Sequence, residues 1–493
     1  MLPRYALLLV FSSLGSIALS APGPADLQIG LHLADCTAGS AHLRARCGTF
    51  VVYEDRAAAS GRKVEIPLIV IPAKQPTHKG IFWNPGGPGA GAVGFAGQIA
   101  DGEVAKELMA LHEHYDIVLA NNRGVGGSSS QQCDLAPRDH PEYYFLQIWP
   151  DALLKQCRAR LGANANLSLY STMVSADDME DMRAALRYDR IVLDGGSYGT
   201  YFFLAYLRQH PEHVESAILD GVAPPGLLTI PLEDAAGAQL AMDHLIAACA
   251  ADATCHTSFP QLAQHFAELV HRFAGGPVRI TIENPATKRL QAVFLSKEVF
   301  ADRLRQTLYS AGSAAYVPYI LERAYLGDYV PLGRMIDTTT HQLGSLVEVG
   351  LNLSVTCAED IPFISEAEVR SSSAGSFEGD VRVRAQQRAC KIWNVSPVPA
   401  SFNAPVRSSV PVLMVSGSSD PASPAEYGTR ELAYLSNARQ ALVRGAGHTE
   451  ETPCTDRLKV MLVLKASVSE LDTASCTSAF ERPPFATSMA GFG

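Results

Sequence analysis

Past its first twenty residues this chain has no stretch approaching the ~18 consecutive apolar residues that a membrane-crossing helix needs, so stable membrane insertion is not expected. It has no excess of positive charge: 40 Lys and Arg stand against 50 Asp and Glu, a formal net charge of -10. An acidic surface repels phosphate backbones, which argues against a nucleic-acid partner. It has no CxxC pair and no histidine pair at zinc-finger distance from its cysteines, so no metal is expected. No internal repeat of 20–50 residues points to a solenoid. With 47% hydrophobic and 18% charged residues, disordered, collagen-like and coiled-coil chains are excluded as well.

What is present begins with an address. Arg4 is the only charged residue of the first twenty, Ala6 to Phe11 is apolar, and Ala18-Leu19-Ser20 precedes Ala21 as a small-residue cleavage pattern. Residues 1–20 are therefore expected to be a signal peptide, and the mature protein to be secreted or periplasmic. Ten cysteines agree with export. They cluster as Cys36 and Cys47, Cys133 and Cys157, Cys249 and Cys255, Cys357 and Cys390, and Cys454 and Cys476. Five bridges between sequence neighbours form the simplest framework, although sequence alone leaves the connectivity open.

The 493 residues suit several domains or one large body with an insertion, and the rhythm of the chain favours the second. Strands are expected at Phe50 to Tyr53, Glu65 to Ile71, Gly80 to Asn84, Tyr115 to Ala120, Arg190 to Asp194 and Ser216 to Asp220. Helices are expected at Thr172 to Leu186 and Tyr198 to Gln209. Buried strands alternating with helices indicate a parallel sheet covered on both faces. From residue 223 to 404 helical spacing dominates, with strand-like pieces only at Val278 to Ile282 and Val293 to Leu295. Sheet rhythm then returns at Val410 to Val415 and Ala441 to Val443, with helices at Ala425 to Leu435 and around Arg457 to Leu471. The fold class is α/β: a sheet core in two parts, residues 21–222 and 405–493, with an inserted, mainly helical lid at 223–404.

Gly195-Gly196-Ser197-Tyr198-Gly199 lies between an expected strand and an expected helix, the setting of a serine nucleophile elbow. The tight turn lifts the hydroxyl clear of the sheet, and small neighbours let strand and helix approach. A serine needs a base, and the base needs an orienting acid, which in this architecture follow in the order Ser, Asp or Glu, His. Asp420 and His448 both follow expected strands, at the carboxyl edge of the sheet where an open α/β site assembles. Asp220, at the end of another strand, is a rival acid. The loop Asn84-Pro85-Gly86-Gly87-Pro88-Gly89 can supply one oxyanion donor, Gly87 before Gly86, with the Tyr198 N–H as the second. Gly89, Gly91 and Gly94 match a dinucleotide-binding pattern, but the Pro-rich lead-in does not suit it.

With these residues in place, the sequence resembles the prolyl iminopeptidase and tripeptidyl aminopeptidase branch of the α/β-hydrolases. The likeness rests on NPGGPGAGA from Asn84, GGSYGT from Gly195, GSSDPASP from Gly417 and GAGHT from Gly445. Pro85 and Asn121 depart from the prolyl iminopeptidase pattern, and the Asn-Pro lead-in is closer to the tripeptidyl side. The resemblance implies cleavage of peptides from a free N-terminus without a cofactor, Ser197, Asp420 and His448 being catalytic. It also implies an anionic subsite for the substrate ammonium, for which Glu359 and Asp360 in Cys357-Ala358-Glu359-Asp360 are the candidates. Two alternatives share the fold: an esterase or lipase-like hydrolase with the same triad, and a non-catalytic binding protein.

Overall fold

The computed structural model describes residues 27–226, 232, 234–476 and 480–492; the expected signal peptide lies outside them. Eleven strands are present among the described residues: β1 Gly30–Ala38, β2 Leu43–Tyr53, β3 Lys63–Ile71, β4 Gly80–Asn84, β5 Asp116–Ala120, β6 Ile191–Gly196, β7 Val214–Asp220, β8 Val278–Glu283, β9 Leu290–Leu295, β10 Val412–Gly417 and β11 Ala438–Val443. Nine form one sheet in the order β1-β2-β3-β5-β4-β6-β7-β10-β11, while β8 and β9 make a separate hairpin. From β5 through β11 the sheet is parallel; β1, β2, β3 and β5 pair antiparallel.

Side-chain alternation explains why the central strands read as continuous apolar runs. Val412 and Met414 of β10 face one core with the helices Thr172–Leu186 and Tyr198–Gln209. Leu413 and Val415 face another with the helices Lys106–Leu111 and Pro453–Lys465. Both faces are covered, so every position of β4 and β10 is buried. Each such aliphatic or aromatic side chain contributes roughly 1.5–3 kcal/mol. The edge strand β1 was not expected: its apolar residues are interrupted by His32, Asp35 and Thr37, and its burial is partial. It is tied to β2 by register and by the Cys36–Cys47 disulfide.

The last helix also differs from expectation, running over Pro453–Lys465 rather than from Arg457 to Leu471. Thr452 caps it in a reciprocal box with Thr455, Pro453 occupies its first turn, and Ala466 ends it in the left-handed region.

Between β7 and β10 lie mainly helices plus the β8–β9 hairpin, with their own core around Phe273, Phe300, Leu332 and Trp393. That core also takes in Tyr144, Phe145, Leu154 and Leu161, from the helices Pro141–Leu146 and Asp151–Gly162 before β6. The spatial division therefore does not follow the chain division at residue 222. The ten cysteines form five disulfides, Cys36–Cys47, Cys133–Cys157, Cys249–Cys255, Cys357–Cys390 and Cys454–Cys476.

Candidate active site

Strand β6 runs into Ser197, whose φ of 56° and ψ of -127° are unusual for a residue with a side chain. Such backbone costs about 1–3 kcal/mol and persists only where its surroundings enforce it. Here the Ser197 N–H donates to the carbonyl of Asp220 at the end of β7 (2.8 Å), and the helix Tyr198–Gln209 starts immediately after. A Cβ on Gly195 would fall 2.7 Å from the Gly199 carbonyl carbon, and one on Gly199 would fall 2.5 Å from the Asn84 oxygen. Gly196 is under no such constraint, its nearest neighbour being 3.6 Å away.

His448 follows β11, and its Nδ1 lies 3.0 and 2.9 Å from the two carboxylate oxygens of Asp420, which follows β10. Asp420 is fully buried and accepts the N–H groups of Ala422 and Ser423 (both 2.8 Å) and the Ser423 hydroxyl (2.8 Å). Burial pushes the Asp420 carboxyl up, but His448 and these donors outweigh it and hold it below the usual range. Burial pulls the His448 imidazole down, yet the charge and hydrogen bond of Asp420 carry it above its ordinary value.

The imidazole's side-chain bonds, to Asp420 and Ser423, are all made at Nδ1, and among the described residues Nε2 makes none. Ser197 and His448 line one cavity of about 670 Å3, together with Gly87 and Tyr198. No hydrogen bond joins Ser197 to His448 among the described residues; without substrate such contacts are commonly long. The ring is nevertheless close to the elbow. A Cβ on Gly221, next to the Asp220 carbonyl that holds Ser197, would fall 3.2 Å from His448 Cε1.

The Asn84–Gly89 loop passes directly over the elbow, since a Cβ on Gly86 would fall 2.8 Å from that of Ser197. The Gly86 N–H is committed to Asn84 Oδ1 (2.9 Å), whereas that of Gly87 is not spent among the described residues. Beyond it, Gly89 and Ala90 pack on Glu348 and Val347 rather than opening a phosphate-binding turn.

The family described as the alpha/beta hydrolase fold matches residues 82–449. The chain belongs to this family. It is similar to the serine protease Hip1 of Mycobacterium tuberculosis, 24% identical over 447 residues that cover 82% of each chain. Carboxylesterase B of the same species is 26% identical over 231 residues, 43% of each chain. A tripeptidyl aminopeptidase of Streptomyces lividans is 26% identical over 195 residues, 36% of each. The protein is a serine hydrolase of α/β fold.

In this hydrolase Asp220 is engaged elsewhere than with His448. It pairs with the buried Lys459 at 3.2 Å, and Glu107 (3.3 Å) and Glu451 meet the same ammonium. Glu359 and Asp360, the expected ammonium subsite, are buried but are not among the residues lining the cavity. Glu359 ends the helix Val349–Glu359 and accepts the N–H (2.6 Å) and hydroxyl (2.7 Å) of Thr172, while burial pushes it up to about 7. The Thr172 hydroxyl in turn meets that of Tyr198 (2.7 Å), so Glu359 serves the packing of this helix beside the elbow rather than the substrate space.

The cavity's buried acids are instead Asp234 and Asp302, accompanied by Arg303, Arg305 and Arg382. Asp302 is bonded to Arg303 (2.6 Å) and Arg305 (3.0 Å). Asp234 lies 3.5 Å from Arg305 and 3.6 Å from Arg382, with no hydrogen bond among the described residues. Burial pushes its carboxyl up to about 6 against the pull of these arginines. The sequence signal was the run Asp302-Arg303-Leu304-Arg305, whose charges sit on a helix that also buries Val299 and Phe300. No described helix is long and apolar enough to cross a membrane.

Proposed function

We propose that this protein is an exported serine aminopeptidase that cleaves short peptides near a free N-terminus. The carrying observation is that Asp234, a buried carboxylate with unspent acceptor capacity, lines the same cavity as Ser197 and His448. An ammonium leaving water needs a carboxylate partner, because an unpaired buried charge is costly. A cavity of about 670 Å3 suits a few residues of peptide. The leader pattern and the five disulfides support export.

In this reading the Ser197 oxygen attacks the scissile carbonyl carbon as His448 Nε2 takes its proton. Asp420 fixes the imidazole tautomer and stabilises imidazolium. The N–H groups of Gly87 and Tyr198 receive the oxyanion. Collapse transfers the proton from His448 to the leaving amine, and water then hydrolyses the acyl-enzyme by the same route. Residues 223–404 act as a lid that excludes folded chains.

The similarity to carboxylesterase B favours ester hydrolysis as the second reading, with the same machinery. A panel of free and N-acetylated peptide nitroanilides with simple esters separates the two. The aminopeptidase fails on blocked peptides; equal cleavage of free and blocked substrates refutes it. Mass spectrometry of products from one long free-amine peptide gives the number of residues removed per cut.

A further inference from the structure

We infer that Glu450 is a positioning residue that fastens the helical insertion to the loop carrying His448. The inference rests on the Ser197–His448–Asp420 assignment but not on peptide specificity.

The His448 loop needs outside support. Thr449, the next residue, has a φ of 53°, in the left-handed region. Three hydrogen bonds supply that support, two of them across a large gap in sequence. The His448 N–H donates to the carbonyl of Tyr309 in the insertion (2.7 Å). Glu450 Oε2 accepts the Gly447 N–H (2.6 Å), and Glu450 Oε1 accepts the N–H of Ala311 (2.8 Å). One carboxylate thus bridges the residue before His448 to the insertion through two charge-assisted bonds.

The approach is close enough to exclude a side chain. A Cβ on Gly447 would fall 2.3 Å from the Tyr309 oxygen and 3.2 Å from Glu450 Oε2. The Tyr309 ring lies against the imidazole with centroids 4.9 Å apart, and its hydroxyl accepts from Arg305 (2.7 Å), a cavity residue. Asp420 therefore fixes the Nδ1 edge of His448, while Glu450 and Tyr309 fix its backbone. Since placement within a fraction of an ångström governs proton transfer, releasing the backbone lowers turnover even with the triad intact.

Two variants cut the link from opposite sides. Glu450→Gln replaces one acceptor with a donor. Ala311→Pro deletes only the insertion's N–H: Ala311 opens a short helix, where proline is tolerated, and Ser310 before it is extended (φ -122°, ψ 147°). Hydrolysis of p-nitrophenyl acetate and the rate of fluorophosphonate labelling read the machinery without peptide recognition, and the thermal midpoint reports folding. Each variant should lower kcat and the labelling rate about tenfold with KM within about twofold, and the double variant should be no worse than Glu450→Gln. If Glu450→Gln does not fold, Ala311→Pro alone decides, because it keeps the carboxylate. Folded variants with wild-type kcat, or with only KM changed, overturn the inference. A wild-type protein that the probe does not label at Ser197 sinks the triad reading instead.

Discussion

Ser423 touches both members of the Asp420–His448 pair: its hydroxyl lies 2.8 Å from Asp420 Oδ2 and 3.1 Å from His448 Nδ1. It donates to the carboxylate, which leaves His448 Nδ1 to donate to Asp420 as well. Ser423→Ala removes one donor to a buried charge, a bond worth about 1.5–3 kcal/mol. About a tenfold fall in kcat is expected, and steady-state rates on a free-amine nitroanilide check it.

Ser197→Ala removes the oxygen to which the proposed mechanism gives the attack and nothing that packs the core. Turnover should fall by several orders of magnitude while the thermal midpoint stays near that of the parent. Residual turnover near the parental rate would place the nucleophile elsewhere.

The pH profile follows from the direction of the His448 shift. Its imidazole must be neutral to accept a proton, and Asp420 raises it above its ordinary value of about 6.5. Activity should therefore rise with pH through a midpoint above about 6.5. Asp420→Asn removes the main support and leaves burial opposed only by the weaker pull of Asp220, so the midpoint should move down as kcat drops by about 10^3–10^4. For stability the sign is opposite to that of activity. The raised imidazole contributes fully below its unfolded value, and the contribution fades as pH climbs through the folded one. A profile in which Asp420→Asn leaves the midpoint in place contradicts the pairing.

Asp234→Asn separates recognition from chemistry. KM for free-amine peptides should rise by about tenfold or more, with simple-ester hydrolysis unchanged, because in the proposed reading the substrate ammonium, and no ester group, pairs with that carboxylate. Parallel losses on both substrate types would mean that Asp234 holds the cavity together rather than reading the substrate.

The elbow glycines make a sharper structural test. Gly199→Ala sets a methyl group 2.5 Å from the Asn84 oxygen and should destabilise the fold by about 1–3 kcal/mol. Gly196→Ala meets nothing closer than 3.6 Å and should leave the unfolding midpoint unchanged. Calorimetry on the pair compares them directly.

The sheet was legible where burial on both faces forces continuous apolar runs, as in β4, β6 and β10. It was not legible in β1, where a solvated edge keeps polar residues and cross-strand pairing with β2 supplies the missing signal. The turns carrying Ser197, Asp420 and His448 announce themselves because each follows a strand and has small residues that few other structures require. The surroundings of substrate do not. Glu359 and Asp234 are both acids of the insertion, and only tertiary packing decides that one serves Thr172 and the other faces the cavity. Glu450 carries no signal in the sequence for the same reason, since its partner Ala311 lies 139 positions away.

Tyr144, Phe145 and Leu154 precede Ser197 in the chain yet are roofed by helices that come after β7. Trimming this enzyme to a minimal catalytic body by deleting residues 223–404 would consequently strip an oily face bare. Such a truncate should aggregate unless residues 141–162 are redesigned with it.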